Sequence, residues 1–190
     1  MPSINGSTRL AGIIGWPVEH SLSPAMQNAA FEALGINWCY LPFPVPPDRL
    51  AQAVAGVRAL GLAGVNVTIP HKEAVMPHLD ELAPAARAVG AVNIITVGED
   101  GRLIGDNSDV YGFLAALDQA GIALDGRQAL ILGAGGAARA AAYGLLTRGA
   151  QVQILARTSA RAQALARDMR GAAPGGQIEV VGSPPQSVDL

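Results

Sequence analysis

The short run Gln128-Ala-Leu-Ile-Leu132 passes straight into Gly133-Ala-Gly135-Gly136-Ala-Ala138, and an alanine-rich stretch then continues to about Thr147. No other feature limits the fold as strongly. The spacing Gly133-x-Gly135-x-x-Ala138 satisfies three physical demands at once. The chain must turn sharply where a strand ends, a second residue must lack a Cβ so that a pyrophosphate can approach backbone N–H groups, and a third must be small enough for helix to pack on strand. The helix that follows presents its positive end to phosphate. The same composition also suits an Ala/Gly-rich packing turn with no ligand. Its surroundings favour the binding turn: Gln151–Ala156 reads as the next strand, Ser159–Met169 as a helix and Gln177–Val181 as a third strand. This is the opening β-α-β-α-β half of a dinucleotide-binding fold. Residues 108–190 are therefore expected to form an incomplete Rossmann-type domain, because the sequence stops at Val188-Asp189-Leu190 before a second half begins. The candidate cofactor-binding residues in the turn are Gly133, Ala134, Gly135, Gly136, Ala137 and Ala138.

The end of the second strand bears on the cofactor. An NAD site calls for an acidic residue there, about 20 residues beyond the turn, to hold the ribose 2′-OH. Here the sequence is Ala156-Arg157-Thr158, with Arg161 close behind. Guanidinium grips a phosphate bidentately, whereas a carboxylate would repel it. Arg157, Thr158 and Arg161 thus point to NADP. Two arginines on a solvated helix start are the plainer alternative.

Strand-like and helix-like stretches also alternate through the first 107 residues. Strands are expected at Leu10–Gly15, Trp38–Val45, Gly64–Ile69, Ala91–Val97 and Arg102–Gly105, with helices at 23–34, 48–60, 70–76 and 83–89. Ser23 is expected to cap the first helix, with Pro24 at its first position and Gly35 closing it. Such alternation predicts a first α/β domain, residues 1–107, on a mostly parallel sheet. Half of the residues are hydrophobic, 15% are charged and 4% are aromatic, enough apolar material for a packed core. A net charge of −2 without a basic tract argues against nucleic acid. The single cysteine, Cys39, forms no internal disulfide and fits a reducing, cytoplasmic setting. The apolar run at 10–15 is too short to span a membrane and lacks signal-peptide flanks. No metal-ligand spacing stands out.

Polar residues gather at the ends of several predicted strands. Ser21 and Ser23 place two hydroxyls at a helix start, where free N–H groups and the helix dipole attract an anion. Equally, they suit a cap and a loop. Asn66 and Thr68 share one side of a strand by period two, and Lys72 falls in the first turn of the following helix. A cation there opposes the dipole and should release its proton more readily, which suits acid–base work; an ordinary surface lysine is the alternative. Asn93 adds a neutral donor and acceptor at a strand. In Gly105-Asp106-Asn107-Ser108-Asp109, Asp106 reads best as a turn or cap residue. Asp109 starts a helix, where a carboxylate stays ionised and could orient Lys72. No function is assigned to His71, which reads as packed or solvated.

Five of these segments, in order, resemble shikimate dehydrogenase. They are H-S-x-S-P at His20–Pro24, N-V-T-I-P-H-K at Asn66–Lys72, G-A-V-N at Gly90–Asn93, G-D-N-S-D at Gly105–Asp109 and G-A-G-G-A-A-R at Gly133–Arg139. The resemblance implies two α/β domains with an active site in the cleft between them. It implies NADPH-dependent reduction of 3-dehydroshikimate to shikimate, a step of chorismate and aromatic amino acid biosynthesis, by a cytoplasmic oxidoreductase working as a monomer or homodimer. It makes Lys72 and Asp109 the catalytic pair. Ser21 and Ser23 would hold the substrate carboxylate and Asn66, Thr68, Asn93 and Asp109 the ring hydroxyls, while Lys72 would meet the substrate at the reacting oxygen. Ser108 stands where the family usually has Thr, and Ala156 where it usually has Asn. The family's chain also continues well beyond residue 190, so a fragment that is weakly active or inactive alone is expected. Two alternatives stay open: a quinate/shikimate dehydrogenase using NAD, and a non-catalytic module that binds substrate or nucleotide.

Overall fold

The computed structural model describes residues 4–190. The chain forms two compact units, Met1–Ala83 with Val92–Asp106, and Pro84–Ala91 with Asn107–Leu190.

The first unit is built on a six-stranded sheet. Its strands are β1 (Arg9–Gly15), β2 (Trp38–Pro44), β3 (Gly64–Val67), β4 (Glu81–Leu82), β5 (Ile94–Val97) and β6 (Leu103–Asp106), in the order β2-β1-β3-β5-β6-β4. Three pairings are parallel, β1 with β2, β1 with β3 and β4 with β6; β5 runs antiparallel to β3 and β6. The sheet is mostly parallel, as expected, and the hairpin β5–β6 interrupts it. Two-residue β4 was not expected from sequence. Glu81-Leu82 carries no period of its own and is a strand only because it pairs with Ile104 and Gly105.

Helices α1 (Ser23–Ala33), α2 (Leu50–Ala59) and α3 (His71–Ala74) belong to the same unit. In α2 the apolar face follows the sequence: Leu50, Val54 and Val57 are buried at helical spacing. Ser23 does not cap α1 as expected. Leu22 already has helical φ −84° and ψ −7°, so Ser23 lies inside the first turn, and no side chain caps the helix. Instead the Ser21 hydroxyl accepts the Ser23 N–H at 3.3 Å. Gly35 closes the helix at φ +65°.

The second unit contains α4 (Pro84–Val89), α5 (Asp109–Gln119), β7 (Gln128–Leu132), α6 (Gly136–Thr147), β8 (Gln151–Leu155), α7 (Ser159–Ala172) and β9 (Ile178–Val180). All pairings in the sheet β7-β8-β9 are parallel, the arrangement expected of a first Rossmann half. Val152 and Ile154 of β8 are buried against a core that includes Ala142 and Leu145 of α6 and Leu165 and Met169 of α7. The outer edge of β7 is not bare: Leu130 N–H donates to the Leu190 carbonyl at 2.9 Å, and Asp189 N–H to the Gln128 carbonyl at 2.9 Å.

Candidate functional site

In the first unit, alternation along β3 buries Val65 and Val67 and leaves Asn66 half-buried on the opposite face, with Thr68 just past the strand end. Thr68 N–H donates to the Ile14 carbonyl at 2.9 Å, which holds this extension against β1. Asn66 Oδ1 accepts the Tyr40 hydroxyl at 2.6 Å, and Asn66 Nδ2 donates to the Asn93 carbonyl at 3.3 Å. That carbonyl also accepts Val67 N–H at 2.9 Å, while Asn93 N–H donates to the Asp106 carbonyl at 3.0 Å. Lys72, half-buried on α3, is tied to the same region, its carbonyl accepting Val92 N–H at 2.7 Å. The structure thus gathers Asn66, Thr68, Lys72 and Asn93 at one end of the sheet.

His71 is 1% exposed, and its Nε2 lies 2.7 Å from the Val45 carbonyl. Its ring anchors α3, which explains why it faces inward while Lys72 beside it does not. Asp106 ends β6 as an exposed strand residue. Ser21 and Ser23, both half-buried, flank the start of α1, which is fastened to β2 by Asn28. The Asn28 amide donates to the Tyr40 carbonyl and accepts Tyr40 N–H, both at 2.9 Å. Tyr40 is 3% exposed, and burial pushes its hydroxyl up to about 12, so it remains a protonated donor at neutral pH. Sequence reasoning missed Tyr40 and Asn28. The one available signal was a tyrosine in an otherwise apolar strand.

In the second unit, Asp109 is the first residue of α5. Its N–H donates to Asn107 Oδ1 at 3.0 Å, and Asn107 Nδ2 donates to the Ala91 carbonyl at 2.8 Å. Asn107 is 4% exposed, so both ends of its amide are satisfied in the interior.

The glycine turn has the geometry its spacing predicts. Gly133 has φ +124°, a conformation that L side chains rarely adopt, and its N–H donates to the Leu155 carbonyl at 2.9 Å. Gly135 is extended and immediately precedes α6. A Cβ built on either glycine would meet nothing within 4 Å, so the space over the turn is open. A cavity of about 220 Å³ lies there, lined by Gly133, Ala134, Gly135, Ala156, Arg157, Thr158 and Arg161. Gly136, Ala137 and Ala138 form the first turn of α6 instead of the lining, and Ala138 packs against the core. Arg157, just past β8, and Arg161, in the first turn of α7, therefore share one cavity with the turn. A backbone cradle, a helix start and two guanidinium groups suit a phosphorylated dinucleotide.

Fold and turn together define a two-unit α/β protein with a Rossmann-like second unit. Two family descriptions match the chain: "Shikimate dehydrogenase substrate binding domain" over residues 13–95 and "Shikimate / quinate 5-dehydrogenase" over residues 115–177. The shikimate dehydrogenase (NADP(+)) of Carboxydothermus hydrogenoformans is 50% identical over 97% of this chain and 66% of its own length; that of Symbiobacterium thermophilum is 57% identical over 86% and 56%. Among solved structures, shikimate dehydrogenase from Aquifex aeolicus superposes with a TM-score of 0.87 at 41% identity, over 96% of this chain and 65% of that one. The Thermus thermophilus enzyme in complex with NADP(H) and shikimate gives 0.78 at 42%, over 90% and 62%. The chain belongs to the shikimate dehydrogenase family. It spans 56 to 66% of the length of these two curated relatives.

Proposed function

We propose that this chain carries the substrate-binding and cofactor-binding residues of an NADPH-dependent shikimate dehydrogenase, reversibly reducing 3-dehydroshikimate to shikimate in the shikimate pathway. The observation that supports this most is that Asn66, Thr68, Lys72 and Asn93 lie at one sheet end, with the Asn66 amide bonded to the Asn93 carbonyl and the Lys72 carbonyl to the Val92 N–H. Residues 1–107 serve as the substrate domain and 108–190 as the nucleotide domain. Ser21 and Ser23 bind the substrate carboxylate, and Asn66, Thr68, Asn93 and Asp109 bind ring oxygens. Lys72 passes a proton to or from the reacting oxygen, and the Asp109 carboxylate is its partner in catalysis.

NADPH supplies the hydride when bound. Ala134 and Gly135 offer backbone N–H groups and Gly133 the sharp turn and open space for its pyrophosphate, with Gly136, Ala137 and Ala138 forming the helix start behind them. Arg157, Thr158 and Arg161 hold the 2′-phosphate. The curated relatives named above carry NADP(+) in their names, which favours that cofactor. Quinate with NAD is the second reading, favoured by 32% identity to a quinate dehydrogenase from Corynebacterium glutamicum in complex with NAD. The guanidinium pair argues against it. The setting is cytoplasmic, the partner a small molecule and the assembly a monomer or homodimer.

The test is NADPH oxidation with 3-dehydroshikimate, run beside NADP and NAD with shikimate and quinate. Lys72→Ala is expected to lose turnover far more than substrate affinity, as a group acting in the transition state does. Equal losses count against the acid–base role. Shikimate binding without turnover in the unaltered chain makes it a binding module.

A further inference from the structure

Asn66 can present either an oxygen or an N–H to a ligand, and the two ends of an amide differ by one rotation. Two neighbours decide between them. The Asn93 carbonyl, 3.3 Å from Nδ2, is an acceptor only and already receives Val67 N–H at 2.9 Å. Turning the amide over would set oxygen against oxygen there. On the other side the Tyr40 hydroxyl donates to Oδ1 at 2.6 Å. That hydroxyl is held in place because Asn28 pins both backbone groups of Tyr40, at 2.9 Å each, and ties them to α1 through the Pro24 carbonyl at 2.8 Å. Burial keeps the phenol protonated to about 12, so the donor is not lost at working pH. With one Oδ1 lone pair on the Tyr40 hydroxyl and one Nδ2 hydrogen on the Asn93 carbonyl, the orientation of the amide is fixed and one N–H is left to donate.

We propose that Tyr40 is a positioning residue that commits Asn66 to donate, so that this part of the substrate site selects a ligand oxygen able to accept a hydrogen bond. The inference rests on the substrate reading above, because it assumes that Asn66 meets the ligand. It adds a residue that touches no substrate and a direction to the hydrogen bond that one substrate oxygen receives. A ring hydroxyl or carbonyl oxygen satisfies that bond; an ammonium or a bare methylene at the same place does not. The same linkage joins α1, which begins at Ser23 two residues after Ser21, to Asn66 through Asn28 and Tyr40. Carboxylate end and hydroxyl end are thus held by one set of hydrogen bonds inside the first unit.

The test is a double-mutant cycle read by calorimetry with shikimate, on wild type, Tyr40→Phe, Asn66→Ala and the double variant of the full chain. Tyr40→Phe is expected to weaken shikimate about three- to tenfold, the worth of one hydrogen bond, and to leave NADP binding unchanged. In the Asn66→Ala background it should cost nothing further; an equal loss in both backgrounds would overturn the proposal, since a general packing defect does not depend on Asn66. The Asn66 side-chain amide resonances are followed in parallel. They should be well separated in wild type and collapse towards solvent values in Tyr40→Phe, and unchanged resonances overturn the proposal. If wild type binds no shikimate, the substrate reading fails and these resonances still decide the role of Tyr40. If Tyr40→Phe does not fold, wild type decides: a slowly exchanging Tyr40 hydroxyl proton close in space to the Asn66 side chain supports the proposal, and its absence overturns it.

Discussion

Arg139, in the first turns of α6, donates from Nε to the Val89 carbonyl at 2.7 Å and from Nη2 to the Asp168 carboxylate at 2.7 Å. It is 7% exposed and ties the C-terminal end of α4 and the middle of α7 to the helix that the glycine turn opens. Gly90, at φ +70°, lets the guanidinium lie close by: a Cβ there would fall 2.5 Å from Nη2.

The two contacts of Arg139 are of unequal value. Asp168 is 53% exposed, so water competes for that ion pair, and Asp168→Ala should cost less than about 1 kcal/mol. Arg139→Met leaves the Val89 carbonyl without its buried donor and removes packed atoms, for a loss of roughly 2–4 kcal/mol. Urea unfolding of both variants measures the difference.

Gly135 separates binding from folding. Its backbone is extended and a Cβ would meet nothing, so Gly135→Val should leave the melting temperature within about 2 °C of wild type, a shift worth under roughly 1 kcal/mol. The isopropyl group would stand where the pyrophosphate is proposed to approach the backbone. NADPH fluorescence on binding should be lost. Retained binding would remove the turn from the cofactor site.

Arg157 and Arg161 line the turn cavity with Thr158. If they hold the 2′-phosphate, replacing both by Ala removes charge-assisted bonds worth roughly 1.5–3 kcal/mol each at most. The preference for NADP over NAD should then fall by about 10- to 100-fold, with NAD affinity nearly constant. Parallel titrations of the two nucleotides read the ratio directly.

Asp189 offers a pH test at the edge of β7. Its carboxylate accepts Gln128 N–H at 2.9 Å and pairs with Arg127 at 3.2 Å; the backbone bond is the main reason its pKa lies below the ordinary aspartate value. A carboxyl depressed in the folded state stabilises above its unfolded pKa and ceases to as pH falls through the folded one. The Gln128 amide signal should therefore titrate with a midpoint below that of a free aspartate, in the acid range. Asp189→Asn should abolish this step.

Much of the fold was legible because it is written in local pattern. Glycine spacing at 133–138, period-two burial at Val65 and Val67 and helical spacing at Leu50, Val54 and Val57 each follow from neighbours within one element. Ser23 misled because cap identity depends on where the first helical φ and ψ fall, and Leu22 already has them. Glu81-Leu82 was silent because a two-residue strand is defined by its partner.

By itself the sequence determined the order of elements, the glycine turn, the arginines after the second Rossmann strand, the strand end that carries Asn66 and Thr68, and the place of Lys72 in the helix that follows. Tertiary structure alone decided that Tyr40 meets Asn66 across 26 positions, that Asn107 meets Ala91 across 16 and that Arg139 meets Val89 across 50. Local pattern reflects backbone period and side-chain size within a turn or two. Hydrogen bonds over such separations exist only once strand register and helix packing have brought distant backbone together, and that information resides in no single segment.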